Sequence, residues 1–416
     1  AISVTICLLF ICFHAGANYF FHETADVFQQ ISHISKIPNT DASLSIPYLN
    51  SINKFWHVGG STEIRNSDFI RLTKYGKTND HGIIISNGIG DNTMDNLEII
   101  VKFKISSVTE GSISTRKRLM GDGMAIVLTP EKEFATQDLR SSYAKKQYEY
   151  NSGGILPGNT NMMGFPSNLP GMALIIDTYQ NVPNSRKIVP FMDAILNVSP
   201  KFDSYDAETD GSRSSTTKLT ERHMRLKESV CKGGLTKLRI IYLESINFLK
   251  VDIQYDKEGS YWIELFQKQG DVVIPKNTKN GQRYIGIGAL TGDYSETVDI
   301  LDVQTNEFHW KDHDESDETS HNFAKEMETY FINEYKERLS LETDDFQRFK
   351  MLKSQPNYLN DKTLDTSLQK TKRISFFSIT IAFCTLFIII YLASVYIRVT
   401  VKHVDRLRRS KGLLPT

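Results

Sequence analysis

The run Asp177-Thr178-Tyr179-Gln180-Asn181 places a carboxylate, a backbone carbonyl and a carboxamide within five residues of chain. Hard cations such as Ca2+ gather oxygen ligands of those kinds, about six to eight of them at roughly 2.3–2.6 Å. Asp210 lies in a second polar segment, Tyr205-Asp206-Ala207-Glu208-Thr209-Asp210-Gly211, and closes the set if the fold brings that loop alongside. Asp177, Tyr179 (through its carbonyl), Asn181 and Asp210 are therefore the candidate metal ligands, with Ca2+ the candidate ion. The plainer alternative is turn chemistry, because Asp and Asn also end strands by bonding their own backbone. Asp122 in Gly121-Asp122-Gly123 and Asp293 in Thr291-Gly292-Asp293-Tyr294 are two further carboxylates in glycine-bounded turns. No strand carries the tight acidic cluster of a glycoside hydrolase, whose two carboxyls must stand about 5–10 Å apart across a cleft. There is no Ser/His/Asp grouping and no phosphate loop either, so an enzyme is not expected.

These turns need strands to hold them. Leu97, Ile99, Val101, Phe103 and Ile105 alternate with mostly polar neighbours, the period of a half-buried strand. Met124–Leu128 and Met172–Ile176 are unbroken apolar runs bounded by Gly or Pro, as in strands buried on both faces. Leu238–Leu243, Phe248–Tyr255, Tyr261–Phe266 and Tyr284–Leu290 follow, and the second and third of these flank a hairpin turn at 256–259. No helix of three turns is apparent between 42 and 310. The expectation is an all-β sandwich or jelly roll. Residues 131–160 and 203–228 are polar excursions read as surface loops at its rim.

Four segments resemble, in order and spacing, the site loops of the L-type (legume-type) lectin-like domain: Gly121-Asp122-Gly123-Met124-Ala125, Ile176–Asn181, Tyr205–Gly211 and Leu290–Tyr294. Flanking matches are Ile46-Pro47-Tyr48, Trp56 through Gly60-Ser61, Phe69–Thr73 and Val298-Asp299-Ile300. The resemblance covers roughly 40–310 and implies a concanavalin-like jelly roll with Ca2+ held by the four candidate ligands. It also implies mannose recognition through Asp122, Asn181, Gly292, Asp293 and Tyr294. One slot departs: where the family has a sugar-contacting histidine, this chain has Ala207. The nearby His223 offers itself as a substitute donor, although a lone histidine there is more commonly just exposed. A cysteine that pairs in many members is here Cys231, opposite Leu265, leaving it either a buried free thiol or available to another chain. Membrane-anchored members act as cargo receptors of the early secretory pathway, and a fungal member is the nearest fit. The implied partner is glycoprotein cargo bearing high-mannose glycans. The competing reading is a lectin-fold protein-interaction or structural membrane protein of the endoplasmic reticulum or nuclear envelope that has lost sugar binding.

The two ends set topology. Ile6–Phe13 is a short apolar run followed by Ala15-Gly16-Ala17, the core and cleavage pattern of a secretory signal peptide over 1–17, with its first residues expected to be missing. Ile374–Ile397 is free of charge and, at about 1.5 Å per residue, long enough for a hydrocarbon core of roughly 30 Å. Basic residues crowd 398–416, which places that tail in the cytosol and 18–373 in the lumen of the endoplasmic reticulum and Golgi. The tail is a candidate contact for coat or other cytosolic proteins, although it ends Leu-Leu-Pro-Thr without a dilysine signal. Residues 311–373 are expected to form an acidic and helical stalk and tether, from Phe323 to Leu339 a candidate for self-association. The whole chain balances 49 basic against 49 acidic residues, which gives no reason to expect nucleic-acid binding. Of its 4 cysteines, Cys7 and Cys12 fall in the signal and Cys384 in the apolar span, so no internal lumenal disulfide is available. Asn197-Val198-Ser199 is the one glycosylation sequon, followed by Pro200.

Overall fold

The alternation at 97–105 becomes β6 (Asn96–Ser106), in which Leu97, Ile99, Val101, Phe103 and Ile105 are all buried. In the computed structural model the described residues are 34–310 without 89–93, 108–119, 138, 157–159, 182–188, 203–204, 212–216 and 257–260, then 320–329, 331, 387 and 390–403. β6 lies at the middle of an eight-stranded back sheet. Its order is β14 (Ile263–Gln269), β13 (Phe248–Tyr255), β12 (Thr236–Leu243), β6, β16 (Thr297–Trp310), β4 (Phe69–Thr73) and β3 (Glu63–Arg65), with β1 (Ile34–Pro38) paired to β16. The expected hairpin at 248–266 is the β13–β14 pair.

The front sheet also has eight strands: β10 (Thr217–Lys218), β9 (Phe191–Asn197), β8 (Gly171–Asp177), β7 (Gly123–Thr129), β15 (Tyr284–Leu290), β5 (His81–Ser86) and β2 (Trp56–Gly60), with β11 (Met224–Arg225) beside β10 on the edge of β9. Neighbouring strands pair antiparallel in both sheets. Met124, Ile126, Met172, Leu174, Ile176, Met192 and Ala194 point inward and meet the inner face of β6 and β12 in one core. The alternate residues of the same strands, Ala125, Val127, Ala173, Ile175 and Ile195, are buried on the opposite face. This is why the runs read as continuously apolar.

The cover on that face comes from residues expected to be a surface loop. Within 131–160, a 3-10 turn at Glu133–Ala135 and the helix Ser142–Asn151 (α2) bring Tyr148 and Ile155 onto the sheet, and Met162, Met163 and Phe165 just beyond that segment complete the cover. Ser141 caps α2 by accepting from Ala144 N at 3.0 Å. Segment 131–160 is thus part of the packing, because an uncovered Val127 and Ile175 face would leave apolar area in water. An earlier short helix, Tyr48–Phe55 (α1), buries Tyr48 and Ile52. Both helices are shorter than three turns.

The signal-like run 1–17 lies outside the described residues, as do most of the apolar span 374–397 and the end of the basic tail. Within 347–416, residues 390–403 are helical, and no described helix is long and apolar enough to cross a membrane. Of the segment expected as a stalk, Ser320–Thr329 (α3) is helical and docks on the outer face of the back sheet. Met327 and Phe331 are buried there with Ile34, Ile241, Leu243, Phe248 and Phe308, and Phe331 meets Phe308 edge-on at 4.8 Å.

Candidate functional site

The candidate residues converge at one end of the front sheet, where β7 begins and β8 and β15 end. Register places Gly123 opposite Asp177 on one side and opposite Leu290 on the other, so the three site loops leave adjacent strands at the same level. Asp122 is held between them: its N–H donates to Leu290 O at 3.0 Å and its carbonyl accepts from Thr178 N at 2.9 Å. The Gly121–Asp122 peptide is cis. Gly123 has φ +142°, and a Cβ there would lie 2.0 Å from Ile176 O, so only glycine permits this approach of β7 to β8. Gly292 shields the other side of the carboxylate; a Cβ on it would stand 2.8 Å from Asp122 Oδ2. Tyr179 and Tyr294 stack at 4.9 Å between centroids and join the second and fourth loops.

The third loop is tied to the second by its own polar atoms. Asn181 N–H donates to Asp210 Oδ1 at 2.8 Å, and Asn181 Nδ2 donates to Ala207 O at 2.7 Å. Tyr205, fully buried, donates its hydroxyl to Asp177 Oδ2 at 2.7 Å, and Asp177 Oδ1 accepts from Tyr179 N at 3.1 Å. Beneath the loop lies Glu296, which has no exposed surface. Its Oε2 accepts from Thr178 Oγ1 at 2.7 Å, and among the described residues Oε1 has no hydrogen-bond partner. Residue type alone gave no signal for Tyr205 or Glu296; only burial distinguishes them from surface groups.

Burial and mutual repulsion dominate the electrostatics. Burial, then the charges of Asp293, Glu208 and Asp210, pushes Asp122 up to about 6. Asp177 is raised well above the usual carboxylate range by burial first, against the Tyr205 hydrogen bond, with Asp210 and Asp122 adding to the rise. Burial lifts Glu296 to about 8. A cation among these groups would relieve all three effects. The donor set fits a hard ion: carboxylates of Asp177 and Asp210, the Asn181 amide oxygen and the Tyr179 carbonyl. Each Asp177 oxygen accepts one hydrogen bond and retains a further lone pair. Only two of these ligands are carboxylates, and no cluster of three His, Cys, Asp or Glu side chains suited to a metal is present among the described residues.

The sequence profile of the legume-like lectin family matches residues 36–315. The protein UIP5 of Saccharomyces cerevisiae is 49% identical over 365 residues, which cover 86% of this chain and 81% of that one. The chain belongs to the legume-like lectin family. Among solved structures, the VIP36 exoplasmic/lumenal domain in its Ca2+- and mannose-bound form aligns over 64% of this chain and 90% of that domain, at 22% identity and TM-score 0.48. The potassium-bound carbohydrate recognition domain of Emp46p aligns over 64% and 97%, at 15% identity and TM-score 0.41.

Against that family pattern, three positions behave differently from expectation. Ala207 is 1% exposed and packs in the outer cluster with Tyr205, so the empty histidine slot is closed, not open to a ligand. His223 is not a free surface group: its Nδ1 lies 2.6 Å from Asp193 Oδ1 and its ring meets Phe191 edge-on at 4.6 Å. Asn197 is a correction to the glycosylation reading. It lies at the far end of β9, 1% exposed, with Nδ2 donating to Asn168 O, Leu169 O and Phe202 O. A glycan on that nitrogen has no room in this fold. Cys231 is a half-buried free thiol against the core, its pKa raised by burial.

Proposed function

We propose that this legume-like lectin domain is the lumenal, sugar-recognising part of a membrane-anchored cargo receptor for high-mannose glycoproteins in transport between endoplasmic reticulum and Golgi. The observation that carries the reading is the convergence of Asp122, Asn181 and the open backbone at Gly292 around one polar end of the front sheet. Asp122 offers an acceptor for vicinal hydroxyls, the Asn181 amide a further polar group, and the Gly292–Asp293 backbone N–H groups donors. Tyr294 is fixed beside them by Tyr179. Ca2+ bound by Asp177, Tyr179 O, Asn181 and Asp210 supplies the positive charge that keeps these carboxylates ionised and the loops in place. Without a histidine at 207 the site lacks one hydrogen bond, worth about 1 kcal/mol. That is a quarter of the roughly 4 kcal/mol binding a millimolar ligand, so single sugars bind weakly and whole glycans are the working ligand.

Calorimetric titration of the purified chain with methyl α-mannoside and a high-mannose oligosaccharide, in calcium and in chelator, tests this. Binding in calcium that disappears in chelator is the expected result, and no binding of either sugar in either condition refutes it. One observation favours a second reading. Asn181, Asp177 and Asp210 already bond Ala207, Tyr205 and one another, so the loops hold their shape through protein contacts. A domain that kept this frame while losing its ligand would serve as a protein-interaction module of the same membranes.

A further inference from the structure

The site end of the front sheet includes one more segment, which the lectin reading leaves out. Leu290 lies opposite Gly123 on one side and opposite His81 on the other, so the turn that enters β5, residues 76–80, reaches the level of the site loops. It flanks the fourth loop on the side away from Asp122. Leu290 O accepts from Asp122 N–H at 3.0 Å, whereas Thr291 N–H donates to Asp80 O at 2.8 Å. The next residue continues the seam, because Asn79 N–H donates to Gly292 O at 3.1 Å. The turn takes this course through a left-handed Asn79, φ +51°, a conformation that asparagine adopts more readily than most residues.

Thr291 has no exposed surface, and its hydroxyl stands at the centre of that seam. Oγ1 accepts from Asp80 N at 2.9 Å and donates to Lys77 O at 2.9 Å, so one side chain holds two backbone groups of the turn. The turn is pinned from its other flank as well: Lys77 Nζ reaches Asp80 Oδ1 at 3.2 Å and Ser61 Oγ at 3.1 Å. Together these contacts fix a direction. In a trans peptide the C=O and N–H point opposite ways, and Gly292 O is committed to the turn. The Asp293 N–H of the same peptide therefore points back across the fourth loop, toward the side where Gly292 adjoins Asp122 Oδ2. Among the described residues this N–H donates to no acceptor, and Asp293 is exposed.

We infer that Thr291 is a positioning residue for sugar recognition: its hydroxyl holds the 76–80 turn against the fourth loop and so aims Asp293 N–H at a ligand hydroxyl beside Asp122. The inference rests on the lectin reading and deepens it. Asp122 accepts and Asp293 N–H donates, and the two side by side suit a pair of adjacent sugar hydroxyls. Thr291 itself does not touch the sugar.

Calorimetry on the full chain in detergent and calcium tests this, with methyl α-mannoside as the probe. Thr291→Val keeps the shape of the side chain and deletes both hydroxyl bonds. It should weaken mannoside binding about fivefold or more, the worth of one aligned hydrogen bond, while calcium affinity stays within about twofold. Thr291→Ser keeps the hydroxyl and should return the Kd to within about twofold of the wild type. An undiminished affinity in Thr291→Val overturns the inference. A parallel loss of calcium and sugar affinity also overturns it, since that marks a general loosening of the loops, and so does serine failing to rescue, which marks methyl packing alone. If Thr291→Val loses its melting transition, residue-resolved hydrogen exchange on the wild type carries the test. Asn79 N–H should exchange slowly with or without mannoside, and Asp293 N–H quickly until mannoside protects it; an Asp293 amide that mannoside leaves unprotected overturns the inference. A wild type that binds no mannoside sinks the lectin reading and this inference with it, whereas a wild type that binds, with both variants unchanged, sinks only the positioning role.

Discussion

Replacing Glu296 by glutamine isolates the cost of burying an acid beneath the site loop. Glu296 has no solvent exposure, and its carboxyl is pushed from the ordinary 4.5 up to about 8. Between those values the unfolded chain releases the proton while the folded chain keeps it. A raised folded-state pKa therefore gives stability that is complete below pH 4.5 and lost as pH rises to about 8. The loss is about 1.4 kcal/mol per pH unit, roughly 5 kcal/mol across the window. Glutamine carries no proton to lose, and its amide oxygen still accepts from Thr178 Oγ1. Its NH2 group adds a constant offset that does not vary with pH. From pH 5 to pH 8 the variant should therefore gain about 3–4 kcal/mol relative to wild type. Asp122 and Asp177 titrate in both proteins, and the charge of Asp122 enters the difference only as the lesser contribution to the rise at Glu296, after burial. Urea unfolding in chelator at pH 5, 6, 7 and 8 reads the effect, with the buried Trp56 as fluorescent reporter. Stability curves that run parallel in pH would show that Glu296 is ionised in the folded protein and would refute the reasoning.

Two further substitutions probe the site and the docked helix. Gly292→Ala puts a methyl group 2.8 Å from Asp122 Oδ2, so it should weaken mannoside binding about tenfold or more by turning that carboxylate away, with Tm changed by only a few degrees; calorimetry and a melting curve check both halves. Phe331→Ala removes the ring packed on Phe308, and a buried Phe truncation removes about 3–5 kcal/mol of packing, more than an isolated short helix retains. α3 should then undock and be cut by trypsin at Lys325 well before the sandwich is degraded, and an unchanged cleavage rate would count against the docking.

The strands were legible because each has a period that burial imposes. Leu97–Ile105 alternates since one face of β6 meets the core and the other does not. The runs at 124–128 and 172–176 are continuous since both faces of β7 and β8 are covered. The cover itself was not legible. Segment 131–160 is polar overall, and the apolar residues that it packs on the sheet, among them Phe134, Leu139, Tyr148 and Ile155, show no simple period because they dock individually through turns and a short helix. The stalk segment misleads for a related reason. Met327 and Phe331 have helical spacing whether the helix stands alone or lies on a sheet, and spacing does not name the partner.

In the site, the glycine-bounded carboxylates could be found from sequence, since the close approach of β7 to β8 requires glycine at Gly123 and the absence of a side chain at Gly292 leaves room for the Asp122 carboxylate. What spacing could not convey is which polar groups satisfy one another. The sequence shows a missing histidine at 207 and a histidine sixteen residues on at 223, with nothing to connect them. His223 is held by Asp193, a residue inside an apolar strand that the pattern of β9 would assign to packing. A carboxylate at that position, 1% exposed, is intelligible only with a cation or imidazole beside it, and the excursion 203–228 supplies both. The buried Ala207 and the ion pair at Asp193 both follow from that excursion folding onto the outer face of the front sheet, which the spacing of its polar residues does not convey.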